Sequence, residues 1–342
     1  MERVIRACGS HEDARSLRLA VLEEIRWIVG FDAYAWLLTD PDTEVGAAPL
    51  ADVPCLAELP RLIGLKYLTT VNRWTQLDAP VGLLRTATGD QRERSLLWRE
   101  LLASYDVGDV ASVVFRDRFG AWAFLDLWRV GRDARFTDQD ADFLTGVAGP
   151  VTDGLRRSQA RTFDLGGTDL DRTGPAVLAL SPELEVRAQT PETEAYLRQL
   201  VPPDAGRPPI PAGAYNVAAQ LLAVECGIDS HPASARVHLT GGTWLTLRAA
   251  RMGGAASADE QDIAVSIEPT SPAERTSLYV GASGLSAREA ELVGHLATGA
   301  DTREVAQRMF LSQNTIQDHL KSIFAKTGTR NRRTLLARAV GR

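Results

Sequence analysis

The sequence predicts a multidomain chain in which two α+β domains, over residues 13–162 and 175–270, precede an all-α domain over residues 280–342. Three observations support this division. The 342 residues exceed one ordinary core and suit two or three domains. Helical and strand periods alternate in two groups, separated between Phe163 and Pro175 by a stretch rich in Gly, Asp and Thr that carries no period. Beyond Gly284 only helical periods remain, closely punctuated by capping residues.

In the first domain, residues 13–29 set Leu17, Val21, Glu24, Ile25 and Ile28 at helical spacing, which predicts an amphipathic helix. Residues 33–39 are aromatic-rich and halt at Asp40-Pro41-Asp42, a strand that proline ends. Runs 110–116 and 121–129 flank Asp117-Arg118-Phe119-Gly120 and read as a hairpin. Thr137 opens a long helix that keeps Leu144, Val147, Val151 and Leu155 on one face, with Phe136 as its staple.

The second domain begins with strand 176–180, the turn Ser181-Pro182-Glu183 and strand 184–188. A helix follows, capped by Thr190 with Pro191 in its first turn. After the loop 202–211 come a short helix near 216–226 and strands 235–240, 244–250 and 262–268, the first two joined by Gly241-Gly242. No internal sequence repeat is visible. On this element order, and on the run Phe31-Asp32-Ala33-Tyr34-Ala35-Trp36-Leu37-Leu38-Thr39-Asp40, the first domain resembles a GAF domain and the second a PAS domain. The resemblance implies a sensing or dimerising role and names no ligand.

Composition narrows the function classes. With 44% hydrophobic and 24% charged residues the chain has the make-up of a soluble globular protein. The net charge of −6 alone speaks against a nucleic-acid partner. From Gly284 onward, however, ten bases oppose five acids, a local balance of +5 that leaves −11 for the rest. Such asymmetry is expected when one module meets phosphate and the others do not. Cys8, Cys55 and Cys226 form no C-x-x-C pair and read as packing thiols. Met1 to Ser10 lacks the apolar core of a signal peptide, and no apolar run approaches the roughly twenty residues of a bilayer span. The expected location is the cytoplasm, with no membrane partner. There is no G-x-x-x-x-G-K-[ST], H-E-x-x-H or G-x-S-x-G motif, so no enzyme and no cofactor is expected. A phosphorylated receiver needs a parallel α/β layout, which the leading helix and antiparallel hairpin do not give.

The terminal region carries the functional signal. Ser286 with Glu289 forms a capping box, Gly299 closes that helix, and Asp301 with Glu304 opens the next, which ends at Met309. Phe310-Leu311 is a turn, Ser312 caps a third helix closed by Gly328, and Asn331 caps a fourth. Helices this short share a core, supplied by Leu292, Val293, Leu296, Val305, Ala306, Met309, Leu311, Ile316, Leu320, Ile323, Leu335 and Leu336.

On the third helix Ile316, Leu320, Ile323 and Phe324 fall together, and Asn314, Gln317, Asp318 and Lys321 form an opposite polar stripe. That stripe suits a major groove, where Lys donates to guanine, Asn or Gln bonds adenine bidentately, and Asp accepts from cytosine. The helix start near Ser312 and Thr315 offers backbone N–H groups to phosphate. Thr302, Arg303, Lys326, Arg330, Arg332 and Arg333 can hold the sugar-phosphate backbone on either side. The rival reading is a small bundle used for protein contacts, with a basic surface that is merely solvated.

The stretch from Gly284-Leu285-Ser286-Ala287-Arg288-Glu289-Ala290-Glu291 to Lys326-Thr327-Gly328 resembles the LuxR-type helix-turn-helix domain. The matching spacing runs through Glu304-Val305-Ala306, Leu311-Ser312, Asn314-Thr315-Ile316, His319-Leu320 and Ile323-Phe324-Ala325. The resemblance implies a dimeric bacterial transcription regulator whose third helix enters the major groove and whose fourth often contributes to pairing. Gln317 stands where the family commonly has a basic residue, and the acidic Asp318 follows. The operator sequence therefore does not carry over from relatives.

Two further readings concern the front domains. Tyr34, Trp36, Tyr67, Trp74, Trp122, Phe124 and Trp128 can line a ligand pocket, against the alternative of ordinary core packing. His231 and His238 lack metal-ligand spacing and are expected to have local partners only. The expected partners are double-stranded DNA, a second copy of the chain as a homodimer, RNA polymerase, and a small-molecule ligand of unnamed identity. The alternative function is a constitutive DNA-binding factor whose front domains only recruit proteins.

Overall fold

Strand patterning decides the layers of the front half. The computed structural model describes residues 1–11, 13–164, 174–200, 210–239, 242–253 and 261–341. Two leading helices, α1 (Glu2–Ser10) and α2 (Ala14–Ile28), precede the first sheet. α1 was not expected, because its sequence is mostly polar; only Val4, Ala7 and Cys8 turn inward. Asp13 caps α2 by accepting from the backbone N–H groups of Arg15 and Ser16 at 3.0 and 2.9 Å. Leu17, Val21 and Ile25 are buried as their spacing predicts, whereas Ile28, the last residue of α2, is exposed.

The first sheet consists of β1 (Ala33–Thr39), β2 (Gly46–Asp52), β3 (Val81–Leu83), β4 (Val107–Asp117) and β5 (Gly120–Val130), in spatial order β2-β1-β5-β4-β3. Its pairs are antiparallel. β1 and the β4–β5 hairpin lie where the sequence sets them. β2, β3 and the short helices α3 (Leu59–Leu68), α4 (Leu84–Thr88) and α5 (Leu96–Glu100) carry too little period to be seen there. β4 and β5 are buried along nearly their whole length on both faces, which is why they read as apolar runs.

The long helix α6 (Asp138–Arg161) follows, with Thr137 and Asp140 exchanging cap hydrogen bonds at its start. A Cβ at its Gly154 would sit 3.0 Å from Leu17 Cδ1 and 3.1 Å from Cys8 Cβ. The absence of a side chain there lets α1 and α2 approach.

The second sheet contains β6 (Ala176–Leu180), β7 (Val186–Gln189), β8 (Ser234–His238), β9 (Trp244–Arg251) and β10 (Ile263–Pro269). Its order β7-β6-β10-β9-β8 repeats that of the first sheet, a structural repeat that leaves no trace in the sequence. Between β7 and β8 lie α7 (Pro191–Leu200) and α8 (Ala212–Glu225). α8 is apolar on every side and correspondingly buried over most of its length.

Contacts divide the chain into two compact units. One comprises Met1–Leu155, Asp171–Val237 and Leu245–Glu268; the other comprises Arg156–Leu170, His238–Trp244 and Pro269–Arg342. The two sheets, expected as separate domains, thus share the first unit. Buried ion pairs join them. Arg73, wholly buried, lies 2.6 Å from Asp229, and Arg236 lies 2.5 Å from Asp40 and 2.6 Å from Asp42. Ion pairs between segments this distant in sequence are invisible to periodicity.

The second unit also takes in α9 (Pro272–Ala282), which begins in the gap between the expected second and third domains and ends inside the third. Its capping box, Ser271 with Glu274, is of the same kind as those farther on. Cys8 and Cys55 are buried as packing thiols, but Cys226 at the end of α8 is exposed. Most of the expected linker, the loop residues 202–209, Thr240, Gly241 and Arg342 lie outside the described residues.

Candidate nucleic-acid interface

Four helices form the terminal domain: α10 (Ala287–Ala297), α11 (Thr302–Arg308), α12 (Gln313–Thr327) and α13 (Arg332–Leu336). Each begins where a capping side chain was expected. Ser286 and Asp301 form reciprocal boxes with Glu289 and Glu304, Ser312 accepts from the Thr315 N–H, and Asn331 accepts from the Thr334 N–H. Gly328 closes α12 at φ +61°, a left-handed conformation that glycine adopts without strain. Leu292, Val293, Leu296, Val305, Ala306, Met309, Ile316, Leu320, Ile323 and Leu335 are buried, and Leu311, Phe324 and Leu336 lie half-buried at the margin.

α11, the turn at Phe310 and Leu311, and α12 make a helix-turn-helix. Phe310 adopts φ +55° and its ring is 95% exposed. A bulky residue in that conformation costs about 1–2 kcal/mol relative to the right-handed region.

Asn314, Gln317, Asp318 and Lys321 are all exposed, opposite the buried Ile316, Leu320 and Ile323. The expected polar stripe therefore exists as one surface. Within it Lys321 Nζ donates to Asp318 Oδ1 at 2.9 Å, and both side chains are about three-quarters exposed. Water screens such a pair, and either partner can exchange it for a base edge at little cost.

Of the residues expected to hold the backbone, Arg303, Arg330 and Arg333 are exposed, and Thr302 is half-buried. Ser312 and Thr315 share a hydroxyl contact of 2.9 Å at the start of α12. Lys326 and Arg332 also make contacts inside the domain. Arg332 Nη2 donates to the Ala300 carbonyl at 2.5 Å. Lys326 Nζ donates to Glu289 Oε2 at 2.6 Å.

In the sequence Glu289 shows only as half of a capping box. The structure makes it the link between α10 and α12. It accepts from the Ser286 N–H at 2.7 Å, from Ser322 Oγ at 2.7 Å and from Lys326, while its side chain is 4% exposed. Burial raises its carboxyl pKa, but the Lys326, Ser286 and Ser322 hydrogen bonds outweigh burial and bring it to about 2. An acid three residues after the cap and a lysine near the end of the third helix were the available signal. Only the folded core shows that they meet.

The seven aromatic residues considered for a ligand pocket do not converge. Register pairs Ala33 with Trp128, Ala35 with Asp126 and Leu37 with Phe124, so these residues share one face of the first sheet. Tyr34 and Trp36 point to the other face, where Trp36 stacks on Phe115 at 5.2 Å and Tyr34 meets Phe31 edge-on at 5.9 Å. On the Phe124 side, Trp74 stacks on Phe124 at 4.2 Å and meets Tyr67 at 4.9 Å. Trp122 donates to Asp117 beside the β4–β5 bulge. Lys66, Asp126 and Ser112 fill the middle of the Phe124 face with a buried polar cluster, Lys66 Nζ lying 2.7 Å from Asp126. A sheet's two-residue alternation prevents these seven from lining one wall.

His231 Nδ1 lies 2.6 Å from Asp229 Oδ1, and His238 packs beside Trp244 at 5.3 Å. Burial, and then the charge of Arg275, pushes His238 down to about 4. Among the described residues no group of three His, Cys, Asp or Glu side chains is placed to hold a metal ion. No described helix is long and apolar enough to cross a membrane.

Comparison with known proteins decides what kind of helix-turn-helix this is. Residues 283–339 match the luxR family of bacterial regulatory proteins. The terminal domain is of luxR type. The match ends two residues short of Gly341 and begins just after α9, so the luxR-type domain is α10 to α13. This chain is similar to the monoamine regulon transcriptional regulator of Klebsiella aerogenes, with 41% identity over 54 residues, which is 16% of this chain and 24% of the relative. It is also similar to the probable csgAB operon transcriptional regulatory protein of Salmonella typhimurium and the CsgBAC operon transcriptional regulatory protein of Escherichia coli K12. Each is 40% identical over 48 residues, which is 14% of this chain and 22% of the relative. The chain thus spans about a quarter of the length of the relatives it matches, and the two-sheet unit lies outside the residues that match the family.

Proposed function

We propose that the chain is a sequence-specific transcription regulator that binds double-stranded DNA as a homodimer through the luxR-type domain. The observation that carries this reading is the exposed stripe Asn314, Gln317, Asp318 and Lys321 on a helix whose opposite face is locked into the core. α12 enters the major groove, and the stripe reads base edges. Arg303, Arg330 and Arg333 meet phosphates with Thr302 and the start of α12, and they fix register without reading sequence. Lys326 and Arg332 also stabilise the reader, through Glu289 and Ala300.

The two-sheet unit takes the part of a sensor. Its support is the pair of small five-stranded antiparallel sheets backed by helices, GAF-like and PAS-like in element order. A signal received there, or a change in its pairing, alters how two readers sit on a two-fold operator and so how RNA polymerase is addressed. The site of action is the cytoplasm, where the DNA is.

A mobility-shift titration of the full chain against genomic fragments at modest ionic strength tests the reading. One or a few fragments retarded at concentrations well below the rest is the expected result. Uniform retardation of every fragment, or none, refutes it. Titrations that do not change with any metabolite, while the two-sheet unit captures a protein partner, would favour a constitutive factor that only recruits.

A further inference from the structure

We propose that Asp164, at the end of the segment that continues α6, is a positioning residue for the base-reading helix and acts on it through Arg338. The proposal rests on reading α12 as the DNA reader. Arg338 Nη1 donates at 3.0 Å to the carbonyl of Thr327, the last residue of α12, and the same nitrogen lies 3.1 Å from Asp164 Oδ1. One guanidinium therefore joins the carboxy-terminal end of the recognition helix to a carboxylate that precedes the luxR-type domain by more than a hundred residues.

The surroundings separate this contact from a chance surface pair. Arg338 is about three-quarters buried. Its own carbonyl accepts from Arg275 Nε at 3.3 Å, and Arg275 Nη1 donates to the Gly242 carbonyl at 3.2 Å. The residue before Asp164 is Phe163, 2% exposed, stacked on Trp244 at 5.3 Å and edge-on to Tyr279 at 5.3 Å, with the Arg275 guanidinium 5.0 Å from its ring centre. Arg156, in the last two turns of α6, donates to the Ala282 carbonyl at 3.3 Å. The buried Phe163 fixes the backbone at Asp164, whose side chain is half exposed and reaches Arg338 from there. A cation on the final carbonyl of a helix also complements the negative end of its dipole. Movement of residues 156–164 reaches the end of α12 across two polar contacts.

The test uses the full chain and the operator fragment found for the wild type. Asp164→Asn keeps the shape and removes the charge; operator affinity falls about two- to fivefold, the span of a partly exposed ion pair. Because Arg338 is engaged internally, the slope of log affinity against log salt stays that of the wild type. Amide exchange in the last turn of α12 quickens, and Asp164→Glu restores both affinity and exchange. Unchanged affinity of Asp164→Asn overturns the proposal. So does a loss that Asp164→Glu shares, which would mark general damage. A slope steeper by about one phosphate contact also overturns it, since Arg338 would then be a phosphate ligand freed by the substitution. If the wild type selects no duplex, the reading of α12 fails instead, and the exchange rates alone decide whether Asp164 positions that helix.

Discussion

Replacing Glu289 by glutamine removes one charge from the centre of the reader while leaving its volume unchanged. In the folded domain the carboxylate accepts from Lys326, Ser322 and the Ser286 N–H, all within 2.7 Å. Its pKa falls from an ordinary 4.5 to about 2. At about 1.4 kcal/mol per tenfold change in proton affinity, this amounts to about 3 kcal/mol in favour of the folded state. Lys326 is 37% exposed and partly screened by water, which brings the expected loss in Glu289→Gln to about 2 kcal/mol. The sign follows from the depressed pKa. The contribution is complete above the ordinary carboxylate range and fades as pH falls from about 4.5 toward about 2. Urea unfolding of the full chain, followed by hydrogen exchange of the α10 and α12 amides, reads the loss for the reader alone. Wild-type protection should drop steadily below pH 4.5, and the Glu289→Gln variant should begin lower and show less of that decline. A variant within about 0.5 kcal/mol of wild type, the range of an ordinary surface substitution, would refute the assignment of Glu289 as the link between these helices.

The remaining predictions concern the base-reading face, the phosphate contacts and the two-sheet unit. Gln317→Ala and Lys321→Ala each weaken operator binding by about 1–3 kcal/mol and relax preference at one operator position, as read by fixed-salt titration against single-base operator variants. Arg330→Ala and Arg333→Ala weaken specific and nonspecific duplexes alike and reduce the salt slope by about 0.9 each, whereas Arg332→Ala leaves the slope unchanged. Asp229→Asn strands the wholly buried Arg73 and destabilises the two-sheet unit by about 3–5 kcal/mol in denaturant titration. Burial raises the Asp229 pKa, but hydrogen bonds from His231 and Arg73 outweigh burial and hold it below the usual carboxylate range. The pair's contribution is therefore whole above about pH 4 and declines in stronger acid.

The terminal domain was legible because its information is local. Ser286, Asp301, Ser312 and Asn331 each sit three residues before the backbone N–H they cap, and α12 sorts Ile316, Leu320 and Ile323 from Asn314, Gln317 and Lys321 by its own turn. The same locality set β1, the β4–β5 hairpin, α6 and β6 close to their observed bounds. What escaped depends on distant partners. β7 was placed two residues early because Leu184, apolar but at φ +67° and buried, belongs to the turn and not to the strand. α9 went unseen although Ser271 and Glu274 announced it, because its apolar residues are interrupted by small and polar ones. The register that sets Trp36 and Phe124 on opposite faces of the first sheet is not written in the aromatic run itself. For Lys326 and Arg332, charge says nothing of direction. Lys326 points to a buried acid 37 residues earlier in the chain.

Selection of bound duplexes from a randomised pool by the full chain, at physiological salt, tests the central claim most directly. The account predicts enrichment of one two-fold motif, and loss of preference at matching positions in its two halves when Gln317 is replaced by alanine. A pool that emerges unenriched, or an enriched motif untouched by changes at Asn314, Gln317, Asp318 and Lys321, would contradict it.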